Sequence, residues 1–98
     1  MGFIQIIEGR TSKFDEMQAL EHEWEKATEG NRTVRRSIVT QDRNDPKRYV
    51  SLAFFDSYES AMENSKLPVT QEFAERFAAL IDGPVTFHDL DVIEDRAL

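Results

Sequence analysis

The feature that most constrains the fold is a first predicted strand with apolar residues on both of its faces. Residues 3–8 are rich in β-branched and aromatic side chains, and Gly9 follows them. Side chains alternate between the two faces of a strand. Both alternating sets are mainly apolar here: Phe3, Gln5 and Ile7 on one face, and Ile4, Ile6 and Glu8 on the other. Such a strand needs cover on both faces.

A helix is predicted directly after this strand. Thr11 and Ser12 offer hydroxyls that can cap its start, and Gly30 can take the left-handed conformation that ends it. At about 100° per residue, one stripe of the helix is apolar. Its members are Phe14, Met17, Leu20, Trp24 and Ala27, whereas His22 lies on the polar side.

The rest of the chain predicts a hairpin, an interrupted helix and a last strand. Residues 34–42 alternate as a strand, and residues 49–55 form the next strand after a turn at residues 43–47. Asp56 and Ser57 can cap a short helix, Pro68 interrupts it, and Thr70 starts a second helix. The apolar side of that helix is formed by Phe73, Phe77, Leu80 and Ile81, and residues 85–93 form the final strand.

The order of these elements predicts a ferredoxin-like βαββαβ domain of class α+β, spanning residues 1–98. Both helices should cover one face of a four-stranded antiparallel sheet. The other face carries apolar residues on several strands, and a chain of this size has no third layer with which to cover them. We therefore expect the protein to bind a second copy of itself as a homodimer.

Composition excludes several classes of site and partner. The 98 residues contain no cysteine, so disulfides, thiolate nucleophiles and thiolate metal sites are absent. The formal net charge of −7 makes nucleic acid an unfavourable partner. No apolar run approaches the roughly 20 residues that span a bilayer, so the expectation is no membrane partner and a cytoplasmic location. Two histidines far apart in sequence predict no metal site, and no phosphate-binding loop or other cofactor motif is present.

One stretch resembles a known family. It runs from Phe54-Phe55-Asp56-Ser57-Tyr58-Glu59 through Asn64-Ser65, Pro68, Thr70 and Phe73 to Gly83-Pro84. Almost the whole chain resembles the dimeric α/β-barrel proteins that include the antibiotic biosynthesis monooxygenases, and this stretch is the most recognisable part. The resemblance implies a dimeric α/β barrel with an apolar cavity between helices and sheet. It also implies oxidation of a small aromatic or quinol-like compound by molecular oxygen without metal or flavin.

The resemblance implies one catalytic residue, and the residues themselves suggest another. Oxygenases of this kind often use a cavity asparagine to bind a phenolic or enolic oxygen, and Asn64 is the position that matches. It is expected in a loop-like break before Pro68, where it could equally do no more than end a helix. Histidine is a common general base and haem ligand, so His88 in the last strand could act as a general base or an axial haem ligand. A structural role at the dimer seam is the alternative for His88.

The candidate substrate-binding residues are mostly aromatic. A cavity for an apolar ligand could draw its wall from apolar positions on the helices and strands. Arg36 and Tyr49 could direct a cation and a phenol into it, or face water or the partner subunit. The full predicted set is Trp24, Arg36, Tyr49, Phe54, Phe73 and Phe77.

Three functions therefore remain open from the sequence. The first is a cofactor-independent monooxygenase, and the second is a non-catalytic dimer that binds a small apolar or aromatic ligand. The third is a haem-binding or haem-degrading protein. Gln5 stands at a position where an asparagine would favour the haem hypothesis. The tryptophan that some family members carry near Asn64 is missing.

Overall fold

The structure is a computed structural model and describes residues 2–98. Seven elements follow one another in the order strand, helix, strand, strand, helix, helix, strand. They are β1 (Phe3–Arg10), α1 (Phe14–Ala27), β2 (Arg36–Gln41), β3 (Arg48–Phe55), α2 (Tyr58–Lys66), α3 (Pro68–Leu80) and β4 (Thr86–Asp91).

The four strands form one antiparallel sheet in the order β2-β3-β1-β4. The helices cover one face of this sheet, so the predicted ferredoxin-like βαββαβ fold is confirmed. No helix within residues 2–98 is long and apolar enough to cross a membrane.

The register of the sheet decides which side chains meet the helices. Odd-numbered residues of β1 and β3 face the helices, because Ile7 and Tyr49 both pack in the core. The buried centre of that core is Met17, Leu20, Tyr49, Phe77 and Ile81. Even-numbered residues lie on the opposite side, which we call the outer face. It carries the apolar side chains of Ile4, Ile6, Ile38, Val50, Leu52, Phe54 and Leu90.

The start of α1 differs from the predicted cap. Lys13 is the N-cap residue and makes no side-chain capping bond. Thr11 is buried instead, and its hydroxyl donates to the carbonyl of Leu80 at 2.7 Å and accepts from the amide of Lys13 at 3.0 Å. One hydroxyl thus joins the end of β1 to the start of α1 and the end of α3.

The break near Pro68 is shorter than predicted. Helix α2 continues to Lys66, and α3 begins at Pro68 rather than at Thr70. Proline is compatible with the first turn of a helix because the amide it lacks would have no partner there. Asn64 therefore lies inside α2, and the prediction that it lies in a loop-like break is wrong. The predicted cap at Ser57 is present, with reciprocal bonds between Ser57 and Ser60.

Replacing Thr11 by valine should lower the free energy of unfolding by about 1–3 kcal/mol. Valine has the same shape, but it leaves the buried Leu80 carbonyl and Lys13 amide without their shared hydroxyl. Urea denaturation measures the loss. Ser65→Ala is the control, because the Ser65 hydroxyl is on an exposed residue and bonds only within its own helix. Equal stabilities of Thr11→Val and wild type would contradict the proposed role of this hydroxyl.

Candidate active site

A small cavity lies between the helix layer and the sheet. Its volume is about 90 Å³. The wall combines aromatic and aliphatic side chains with several uncharged polar groups and one carboxylate. It is formed by Gln5, Glu21, Trp24, Val34, Ser37, Ser51, Ala53, Phe55, Asn64, Thr70 and Phe73. An apolar enclosure with a few convergent polar groups is the usual form of a small-molecule site.

Asn64 lies in this wall and is 7% exposed. Its Oδ1 faces the backbone amide of Thr33 at 3.4 Å. A backbone amide can only donate, so this contact determines which end of the side-chain amide is the oxygen. The Nδ2 group donates to no protein acceptor within residues 2–98 and can bind a ligand oxygen.

Eight of the eleven described cavity residues were not predicted from the sequence, and Glu21 is the one among them with an ionisable side chain. It follows Met17 by four residues and precedes Trp24 by three, so it lies on the same stripe of α1. A charged residue on an apolar stripe was the signal that could have identified it. Its Oε1 accepts a hydrogen bond from the Tyr49 hydroxyl at 2.8 Å.

The environment of Glu21 and Tyr49 shifts the pKa of both side chains. Burial raises the pKa of the Glu21 carboxyl, the Tyr49 hydrogen bond opposes that rise, and the charge of Glu25 adds to it. Burial and the neighbouring Glu21 carboxylate raise the pKa of the Tyr49 phenol well above its ordinary value. Tyr49 is therefore a permanent hydrogen-bond donor, whereas Glu21 can take up and release a proton.

Trp24 and Phe73 separate the cavity from a groove on the surface of the helix layer. Their rings lie 6.0 Å apart, and both residues line the cavity as well as the groove. The groove between α1 and α3 has a volume of about 230 Å³. The Trp24 indole Nε1 donates to the Thr70 hydroxyl at 3.0 Å, which holds the ring in place.

The predicted site residues divide into three groups. Asn64, Trp24 and Phe73 are brought together in the cavity wall. Tyr49 and Phe77 lie in the adjoining core, with ring centroids 5.5 Å apart. His88, Arg36 and Phe54 lie on the outer face, away from the cavity.

These three residues lie on the outer face because they are even-numbered, and the even-numbered side chains of the strands point away from the helices. The Arg36 guanidinium lies over the Phe54 ring at 5.8 Å, and His88 Nε2 lies 3.1 Å from Glu8 Oε1. Arg36 and Tyr49 occupy opposite faces of the sheet, so the predicted convergence of both on one cavity is wrong. Phe54 likewise does not line the cavity, and the structure does not bring His88 to Asn64.

Metal-binding groups are not clustered in the described part of the chain. Within residues 2–98, no set of three or more histidine, aspartate or glutamate side chains could hold a metal ion together. The imidazole of His88 faces Glu8 on the open outer face. The cavity polar groups are amides, hydroxyls and the single Glu21 carboxylate.

Comparison with known proteins identifies the fold. No protein-family model matches the sequence, and neither does any curated protein. Among solved structures, SnoaB, a cofactor-independent oxygenase from Streptomyces nogalater, superposes with a TM-score of 0.81 at 10% identity. That alignment covers 96% of this chain and 95% of SnoaB.

Two further structures extend the comparison. A Chloroflexus aurantiacus protein described as an antibiotic biosynthesis monooxygenase has a TM-score of 0.75 at 20% identity, covering 99% of this chain and 98% of its own. A conserved protein of Methanosarcina mazei has a TM-score of 0.80 at 12% identity, and the alignment covers 92% of this chain and 91% of that protein. The chain therefore has the fold of the antibiotic biosynthesis monooxygenase-like proteins.

Proposed function

We propose that this protein is a cofactor-independent monooxygenase that acts on a small aromatic or quinol-like compound in the cavity beside Asn64. The observation that carries the proposal is the placement of the Asn64 amide in a cavity wall to which Trp24, Phe55 and Phe73 contribute aromatic rings. A free amide donor there can stabilise the negative charge that forms on a phenolic or enolic oxygen. The fold shared with SnoaB, a cofactor-independent oxygenase, supports the same reaction class.

The proposed chemistry draws its electrons from the substrate. Loss of a proton leaves a stabilised carbanion or its enolate, which passes one electron to dioxygen, and the two radicals combine to a peroxide. The substrate carbon that reacts is a CH₂ group. When the peroxide loses hydroxide and the second hydrogen of that group, the carbon becomes a carbonyl. One oxygen atom is retained and the other leaves as water, so four electrons pass from carbon to dioxygen. The protein supplies a cavity with aromatic and aliphatic side chains in its wall, and hydrogen bonds to the anion.

Substrate size requires the cavity to open. Its 90 Å³ is less than the roughly 150 Å³ of an engineered protein cavity that holds one benzene. Trp24 and Phe73 separate it from the 230 Å³ groove, so displacement of these rings would join the two spaces. A ligand of one to three rings then fits with its polar end beside Asn64 and its apolar end towards the groove.

Replacing Asn64 by alanine should slow oxygen uptake by about 10²- to 10³-fold, the usual effect of removing a donor that stabilises a developing oxyanion. The assay uses metal-stripped protein with hydroquinones and anthrone. Asn31→Ala is the matched control, because Asn31 is exposed and lies outside the cavity wall. Thermal melting checks that each variant is folded.

The outcomes separate the candidate functions. Wild-type uptake no faster than buffer, together with saturable binding of the same compounds, favours the alternative of a non-catalytic binding protein. If uptake is fast and Asn64→Ala does not slow it, the oxygenase function is supported and the proposed role of Asn64 is wrong.

We also propose that the outer face binds a second copy of this chain. Seven apolar side chains lie there, and no helix of residues 2–98 covers them. Leu52 lies in the middle, paired with Ile6 on one side and Ile38 on the other. Charged groups lie nearer the ends of the strands, including the Arg48 guanidinium between Glu8 and Asp42. An apolar centre with charged surroundings is the usual composition of a homodimer interface.

A further inference from the structure

We propose that Glu21 is the general base that removes the substrate proton, with Tyr49 as its positioning residue. The inference rests on the proposed oxygenase function and adds the group that the reaction requires. Asn64 can stabilise an anion, but an amide cannot take the proton whose loss creates that anion. Among the described residues that line the cavity, Glu21 is the only one with an ionisable side chain.

The contact with Tyr49 gives the carboxylate a defined position. Tyr49 is fully buried on β3, and its hydroxyl donates to Glu21 Oε1 at 2.8 Å. This bond uses one oxygen of the carboxylate and leaves the other oxygen to accept a proton. The positioning group is itself held by rings on two helices, since Tyr49 packs against Phe14 and Phe77 at centroid distances of 5.5 Å.

The surroundings of Glu21 raise the pKa of its carboxyl above the ordinary value of a glutamate. Burial and Glu25 raise the pKa of its carboxyl, whereas Tyr49 and, more weakly, His22 lower it. The residues that α2 and α3 contribute to the described cavity wall, Asn64, Thr70 and Phe73, carry no charge. A general base is most effective when its pKa lies close to the working pH.

The proton balance closes over one turnover. Glu21 takes a proton from a substrate C–H or O–H group, and the electron pair of the broken bond stays on the substrate. Dioxygen takes one electron from that anion, and the two radicals combine to a peroxide anion. Its remaining C–H bond and its O–O bond then break, the hydrogen leaves with the outer oxygen as hydroxide, and the carbon becomes a carbonyl. The protonated Glu21 returns its proton to the hydroxide, which leaves as water, and the carboxylate is restored.

Deuterium exchange measures the proton step without oxygen chemistry. The probe is 2-indanone, a two-ring ketone with acidic CH₂ groups, incubated with the protein in D₂O under argon and followed by NMR. Glu21→Gln keeps an acceptor for the Tyr49 hydroxyl but cannot take a proton, so exchange should fall by about 10²- to 10⁴-fold. Glu16→Gln, on the exposed side of the same helix, should exchange like wild type.

The pH profile identifies which group titrates. Exchange should increase with pH as Glu21 loses its proton. Tyr49→Phe removes a hydrogen bond that favours the carboxylate anion, so this rise should move to higher pH, which a merely structural role would not produce. Equal exchange in wild type and Glu21→Gln, or an unmoved profile in Tyr49→Phe, would overturn the assignment.

The result is independent of oxygen uptake. Exchange that depends on Glu21 without any uptake supports the base and contradicts the oxygenase. Uptake that does not depend on Glu21 supports the oxygenase and contradicts the base. Absence of both activities in wild type overturns both proposals.

Discussion

Leu52→Glu should convert a dimer of about twice the 11.4 kDa chain mass into a monomer. Leu52 lies at the centre of the outer face, where β3 pairs with β1 and β2. In a two-fold interface both copies would bury a glutamate without a partner, at a cost of several kcal/mol. Each loss of about 1.4 kcal/mol in binding free energy raises the dissociation constant tenfold, so we expect it to rise roughly a thousandfold or more.

Light scattering at micromolar concentration measures this change. The outer face is open to solvent in the single chain, so circular dichroism of the variant should show that it remains folded. Ala78→Glu is the control, because it adds the same charge to an exposed position of α3. A wild-type monomer would contradict the dimer, and a Leu52→Glu dimer would place its interface elsewhere.

The fold was predictable because its main determinants are local. Runs of β-branched and aromatic residues between turn and helix signals identified the four strands, and the stripe through Met17 and Leu20 identified α1. The helix caps were less predictable, because one side-chain hydroxyl can form hydrogen bonds with several different backbone groups. The Thr11 hydroxyl donates to the carbonyl of Leu80, which is 69 residues away, and Thr11 is not the N-cap of α1.

The site was less predictable because it depends on register and on tertiary contacts. Alternation shows that neighbouring residues of a strand face opposite ways, but it does not show which set meets the helices when both sets are apolar. Phe54 and Phe55 illustrate this, because Phe55 lines the cavity and Phe54 lies on the outer face. Glu21 was missed for a related reason, since only the packed structure shows the hydroxyl of Tyr49 beside it.

The central claim is that the cavity beside Asn64 binds an aromatic ligand. Ala53 lines the cavity from β3, and leucine there would fill much of the 90 Å³. Binding of the one-ring phenol 4-nitrophenol can be followed by quenching of Trp24, the single tryptophan of the chain, which lies in the same wall. Ala78→Leu is the control, because it adds the same side chain to an exposed position of α3.

Titration of wild type, Ala53→Leu and Ala78→Leu with 4-nitrophenol is therefore the most direct test of the claim. We predict saturable quenching in wild type and Ala78→Leu. We expect the affinity of Ala53→Leu to be lower by about a hundredfold, or roughly 2.7 kcal/mol. Quenching that does not saturate in wild type, or equal affinity of Ala53→Leu and wild type, would contradict the assignment of this cavity as the ligand site.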